Sequence, residues 1–90
     1  MTTDKKKEKI KSLVYDMLKE SCEQMMKKID KAIDSGSVDI DGWDENNKPM
    51  ILPKCIVTAI LVNESKQYEG KGTSYEKMIR KESENIRRFL

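Results

Sequence analysis

Ile10, Leu13, Val14, Met17, Leu18, Cys22, Met25, Met26, Ile29, Ala32 and Ile33 recur at steps of three and four. That spacing gathers them on one face of an α-helix. Lys19, Glu20, Glu23, Lys27, Lys28, Asp30 and Lys31 fill the opposite face, with Glu23 and Lys27 in the favourable i, i+4 order. The pattern predicts one helix over about residues 5–34, with Asp4 as its N-cap and Gly36 as a left-handed stop. Residues 1–9 read as a basic tail or a frayed helix start. At 1.5 Å per residue such a helix is about 45 Å long, more than a core of this size needs.

The periodicity then changes. Val38-Asp39-Ile40-Asp41 alternates as a half-buried strand does, and Gly42-Trp43-Asp44-Glu45-Asn46-Asn47-Lys48 is made of turn formers. Met50-Ile51-Leu52, bracketed by Pro49 and Pro53, is expected to pair back as a minimal hairpin over 38–52. A second helix starts at Pro53, a first-turn proline. Its stretch from Cys55 to Val62 is almost wholly apolar and reads as the buried central helix. Gly70-Lys71-Gly72 ends it. Thr73-Ser74-Tyr75-Glu76 is a capping box that opens a third helix with Tyr75, Met78, Ile79, Ile86, Phe89 and Leu90 as its apolar residues. The expected fold is therefore mainly α, a single domain of three helices over residues 1–90. Ile29, Ile33, Val57, Ile60, Leu61, Met78, Ile79 and Ile86 form its expected core.

Composition adds a constraint on stability. Ninety residues with 37% apolar and 38% charged side chains make one small domain with a thin core. The charge is segregated. Residues 1–12 carry a net +3, residues 34–48 a net −4 and residues 70–90 a net +3. A basic–acidic–basic layout suits contacts between copies or with other proteins. No apolar run approaches the length of a membrane span, and no apolar stretch follows the basic start as it does in a secretory signal. A cytoplasmic protein with reduced Cys22 and Cys55 is expected.

Candidate chemistry is sparse. The chain has no histidine, which removes the commonest general base and metal ligand. Read as a calcium loop from Asp39, the acidic middle has Asp44 where glycine belongs and Met50 where the bidentate glutamate belongs. Gly70-Lys71-Gly72-Thr73-Ser74 lacks the glycine spacing of a phosphate loop, although glycines beside a lysine at a helix start can offer free N–H groups to an anion. Glu64 and Glu82 interrupt apolar helical stretches; pairing with Lys66 or Arg80 at a helix edge is the plain explanation, a perturbed site residue the sharper one. Lys71, Lys77, Arg80, Lys81, Arg87 and Arg88 form a candidate anion or nucleic-acid contact, weak because the last five spread over more than half the helix circumference. Met17, Met25 and Met26 are either core filler or an adaptable partner surface. With Trp43, a lid across the helix junction, they form the expected partner-binding set.

The segment Gly42-Trp43-Asp44, the Pro49-Met50-Ile51-Leu52-Pro53 step and the Gly70-Lys71-Gly72-Thr73-Ser74-Tyr75 helix start resemble small proteins of crAss-like gut phages. That resemblance covers Asp41 to Leu90 and implies an accessory, capsid-associated role in a virion. Taken together, the residues point to a non-enzymatic structural or assembly protein that uses no cofactor and no metal. It would act through contacts with a protein partner or with itself. The alternative is a small nucleic-acid-binding or regulatory module using the basic C-terminal helix.

Overall fold

The structure is a computed structural model that describes residues 3–20 and 22–89. It contains four helices rather than three: α1 (Thr3–Met17), α2 (Glu23–Asp34), α3 (Ile51–Gln67) and α4 (Ser74–Ile86). No strand forms among the described residues. The third of these helices is central and packs on each of the other three.

The long first helix expected over 5–34 is broken. Its helix stops at Met17 and resumes at Glu23, although neither glycine nor proline lies between. The cause sits on α4. The Glu82 carboxylate accepts the Lys19 N–H at 3.0 Å and the Glu20 N–H at 2.7 Å. Asn85 Nδ2 donates to the Met17 carbonyl at 2.6 Å. Backbone groups that would have continued the helix are satisfied from outside it instead. The reversal lets both halves of the apolar stripe face the same core. Ile10, Val14 and Met17 on α1, and Met25, Ile29 and Ile33 on α2, are all 0% exposed. A straight helix would have left one half in water, at roughly 25 cal/mol for each Å² of apolar surface. Residues 3–9, read as a basic tail or a frayed helix start, belong to α1, and Asp4 lies inside its first turn rather than capping it.

Asp34 ends α2, and Gly36 takes the left-handed conformation at φ +78°, as its position in the sequence suggests. The expected 38–52 hairpin is replaced by turns. Asp44 accepts the Asn46 N–H at 2.9 Å and the Asn47 side-chain amide at 2.7 Å, and the Lys48 N–H bonds the Asp44 carbonyl. These local Asx bonds outcompete a two-stranded ladder that has no third strand to support it. Ile40 and Trp43 anchor the loop, both buried, and the Trp43 indole donates to the Lys48 carbonyl at 3.1 Å.

α3 starts at Ile51, two residues before Pro53, which stays in the first turn where a missing N–H costs nothing. Thr73 caps α4 as expected, its hydroxyl accepting the Glu76 N–H at 3.2 Å. Six of the eight expected core residues are buried; Ile60 and Met78 lie half-buried at its edge. Leu90 lies outside the described residues.

Candidate functional site

Three glutamates and one asparagine enter the interior: Glu64, Glu76, Glu82 and Asn85 are each under 9% exposed. Buried carboxylates are the natural place to look for chemistry. Each here is fully engaged. Glu82 and Asn85 hold the α1–α2 reversal. Glu64 binds the Lys28 ammonium through Oε1 and the Tyr75 hydroxyl, at 2.9 Å, through Oε2. Burial, reinforced by that bond, pushes the Tyr75 phenol well above its usual range. Tyr75 meets Tyr68 edge to face at 4.9 Å, and the Lys28 and Lys71 ammoniums sit 5.9 and 5.6 Å from the Tyr68 ring centre. The cluster ties α2, α3 and α4 together, with each oxygen of Glu64 bonded to a side chain of another helix. The partners of Glu64 and Glu82 are thus Lys28, Tyr75 and backbone N–H groups, not Lys66 or Arg80.

Glu76 disposes of the phosphate-like loop. Its carboxylate accepts the Gly70 N–H at 2.7 Å and the Gly72 N–H at 2.8 Å. Those bonds hold its carboxyl below the ordinary carboxylate value, with Arg80 adding a smaller effect. An internal anion already fills the position that a bound phosphate would take. Among the described residues, no group of three or more acids or cysteines is placed to hold a metal ion.

The expected partner-binding set does not form a surface. Met17 and Met25 are 0% exposed and Trp43 8% exposed, so all three are core; Met26 alone is half-buried at its margin. Their stripe found its cover within the chain once the helix folded back on itself. The six expected basic residues are all exposed but dispersed. Arg80 pairs with Glu76 at 3.5 Å and Lys81 with Glu20 at 3.6 Å. Only Arg80 and Arg87 share a feature. They line a groove of about 740 Å³ between α3 and α4, together with the charged Lys54, Lys66, Glu69 and Glu84 and the apolar Leu61, Val62 and Ile86.

That groove shares Thr58, Val62 and Lys66 with a surface that the sequence pattern concealed. Ile51, Cys55, Thr58, Ala59, Val62 and Lys66 are all exposed and fall on one face of α3. Ile51 and Val62, at 54% and 50%, are the only large hydrophobic side chains standing out in water among the described residues. The opposite face carries Pro53, Ile56, Val57, Leu61 and Glu64 into the core. α3 is therefore apolar on two sides. Its almost wholly apolar stretch from Cys55 to Val62 reads as complete burial, and that is how it misleads. A helix apolar all round must be covered all round, and this chain covers only half of it.

Compared with family models, curated proteins and solved structures, the chain matches none of them. Among the described residues the fold is a four-helix α domain whose buried polar groups tie its helices together and whose α3 helix exposes Ile51 and Val62. No described helix is long and apolar enough to cross a membrane.

Proposed function

We propose that the chain is a non-enzymatic structural or assembly protein that binds a partner protein through the outer face of α3. The supporting observation is the exposure of Ile51 and Val62 at the two ends of a smooth strip of small residues, Cys55, Thr58 and Ala59. Small side chains at the centre let a second helix approach closely, and larger ones at the ends grip it. The charged groove alongside supplies a polar rim, which protein interfaces commonly have. A capsid-associated role, implied by the resemblance to crAss-like phage proteins, is one setting in which such a module works.

The test is a photo-crosslinking residue placed at Val62 in the cells that make the protein, with the same residue at exposed Ser12 of α1 as control. A discrete crosslinked species from Val62 and none from Ser12 is expected. No crosslink from Val62, in a chain that still folds, refutes the reading.

A second reading draws on the groove. Lys54, Lys66 and Arg87 make no ion pair among the described residues, and with Arg80 they flank one concave path. A nucleic-acid backbone laid there would give affinity falling with salt, with a log–log slope of about −3 to −4 for four phosphates. Unchanged binding in a chain carrying Arg80→Ala and Arg87→Ala removes this reading.

A further inference from the structure

The occupant of the α3 face follows from its register and from the charges at its two ends. Ile51 and Val62 are eleven residues apart, about 16 Å along the helix. If two copies of α3 lie antiparallel about a two-fold axis passing between Ile56 and Val57, Ile51 of each copy falls opposite Val62 of the other. Cys55 then falls opposite Thr58, so the smallest side chains meet where the helices cross. Both exposed hydrophobic side chains of both copies are covered by one operation, as a self-complementary interface requires.

Charge selects the same orientation. The Asp44–Lys48 turn precedes the start of α3, and Lys66 lies at its other end. The loop over 39–48 is only partly neutralised within its own chain: the Asn46 N–H and, more weakly, Lys6 lower the Asp44 carboxyl, and Lys48 lies in the turn itself, but Asp39, Asp41, Asp44 and Glu45 outnumber Lys6 and Lys48. At the far end Lys66 has no acid of its own, and the groove as a whole is net positive, with Lys54, Lys66, Arg80 and Arg87 against Glu69 and Glu84. Antiparallel pairing sets the Lys66 end of each copy towards the acidic 39–48 loop of the other. Parallel pairing would set lysine beside lysine and acid beside acid, which is unfavourable. We infer that the partner of the α3 face is a second copy of this chain, paired antiparallel through Ile51, Cys55, Thr58, Ala59 and Val62. The inference rests on the contact function proposed above and specifies its partner. A single helix pair is at the small end of protein interfaces, so association should be weak and reversible.

Light scattering behind size-exclusion chromatography, from low micromolar to millimolar chain and at two salt concentrations, tests it. The apparent mass should climb from 10.5 kDa towards twice that value and no further. High salt should shift the midpoint to higher concentration. Val62→Glu should weaken association by about tenfold or more, because it places an unpaired charge in the contact, while leaving the circular dichroism unchanged. A short bismaleimide should join copies through exposed Cys55 in the Cys22→Ser background, and fail to do so in Val62→Glu. A chain that remains at 10.5 kDa throughout, or that grows past two copies, overturns the inference. The two failures separate cleanly. A monomer whose Val62 photo-probe captures a different protein refutes self-pairing and leaves the contact function standing; a monomer whose probe captures nothing refutes both.

Discussion

Glu82→Ala is the sharpest perturbation of this fold. The carboxylate is 1% exposed and accepts two backbone N–H groups at the α1–α2 reversal, from Lys19 and Glu20. A hydrogen bond to a charged group contributes about 1.5–3 kcal/mol net. Lys19 and Glu20 have exposed side chains, so water can reach part of the vacated site and offset some of the loss. The expected cost is about 2–3 kcal/mol, near the lower bound for two such bonds. A chain of this size has on the order of 5–13 kcal/mol in total, so the change should lower Tm by roughly 10–20 °C. Glu82→Gln keeps the shape and one carbonyl oxygen and should cost about half as much. Urea titration followed by far-ultraviolet circular dichroism measures both, and amide exchange at Lys19 and Glu20 localises the effect. The control is Lys81→Ala. It removes an exposed pair with Glu20 at 3.6 Å and should change stability by less than about 0.5 kcal/mol. If Glu82→Ala proves as mild as that control, the reversal is not held by α4. Residues 18–22 must then break by some local preference of their own.

Met17→Ala and Met25→Ala should each cost about 2–5 kcal/mol in the same titration, since both side chains are 0% exposed; near-neutral changes would restore them to a partner surface. Glu76 carries the acid sensitivity of the Gly70–Gly72 turn. Its folded pKa lies below the ordinary 4.5, so its contribution is present above that value and lost as pH falls through the lower folded one. The loss of urea resistance between pH 5.5 and pH 3 should therefore be smaller in Glu76→Gln than in the parent chain. At the alkaline end, burial and the bond to Asp30 push Tyr15 up to about 12, and Tyr75 moves in the same direction. A phenol whose folded pKa exceeds the unfolded value of about 10 stabilises fully below pH 10 and loses that contribution as pH rises through the folded value. Absorbance at 295 nm should show Tyr15 and Tyr75 ionising late, together with unfolding; ionisation of all three tyrosines near pH 10 in a folded chain would contradict the burial.

Local rules carried most of the helical reading. Thr73 and Glu76 mark the start of α4, Gly36 the end of α2, and the three-and-four spacing of Ile10 to Ile33 the buried stripe, because caps and amphipathic faces are properties of neighbouring residues. The same stripe could not disclose its own interruption. Leu18-Lys19-Glu20-Ser21-Cys22 contains no helix breaker, and the agents that end α1 are Glu82 and Asn85, more than sixty residues away. The methionines changed status for that reason: a stripe too long for its own core in a straight helix is fully covered in a folded one. Trp43 was expected at a junction and lies buried, held by the carbonyl of Lys48, while the strands around it gave way to Asx turns.

The outer face of α3 shows the converse. An apolar run from Cys55 to Val62 states that both sides of a helix avoid water and is silent on which protein atoms cover each. That assignment depends on where α1, α2 and α4 come to rest, and they occupy one side only. Residue type and spacing settled the mainly helical class, the cap at Thr73, the stop at Gly36 and the absence of histidine in this protein. Distant pairings, with Glu82 ending a helix and Glu76 bonding the Gly70 and Gly72 N–H groups, settled where the chain turns and which apolar surface is left exposed, because burial and hydrogen-bond satisfaction are properties of the assembled whole.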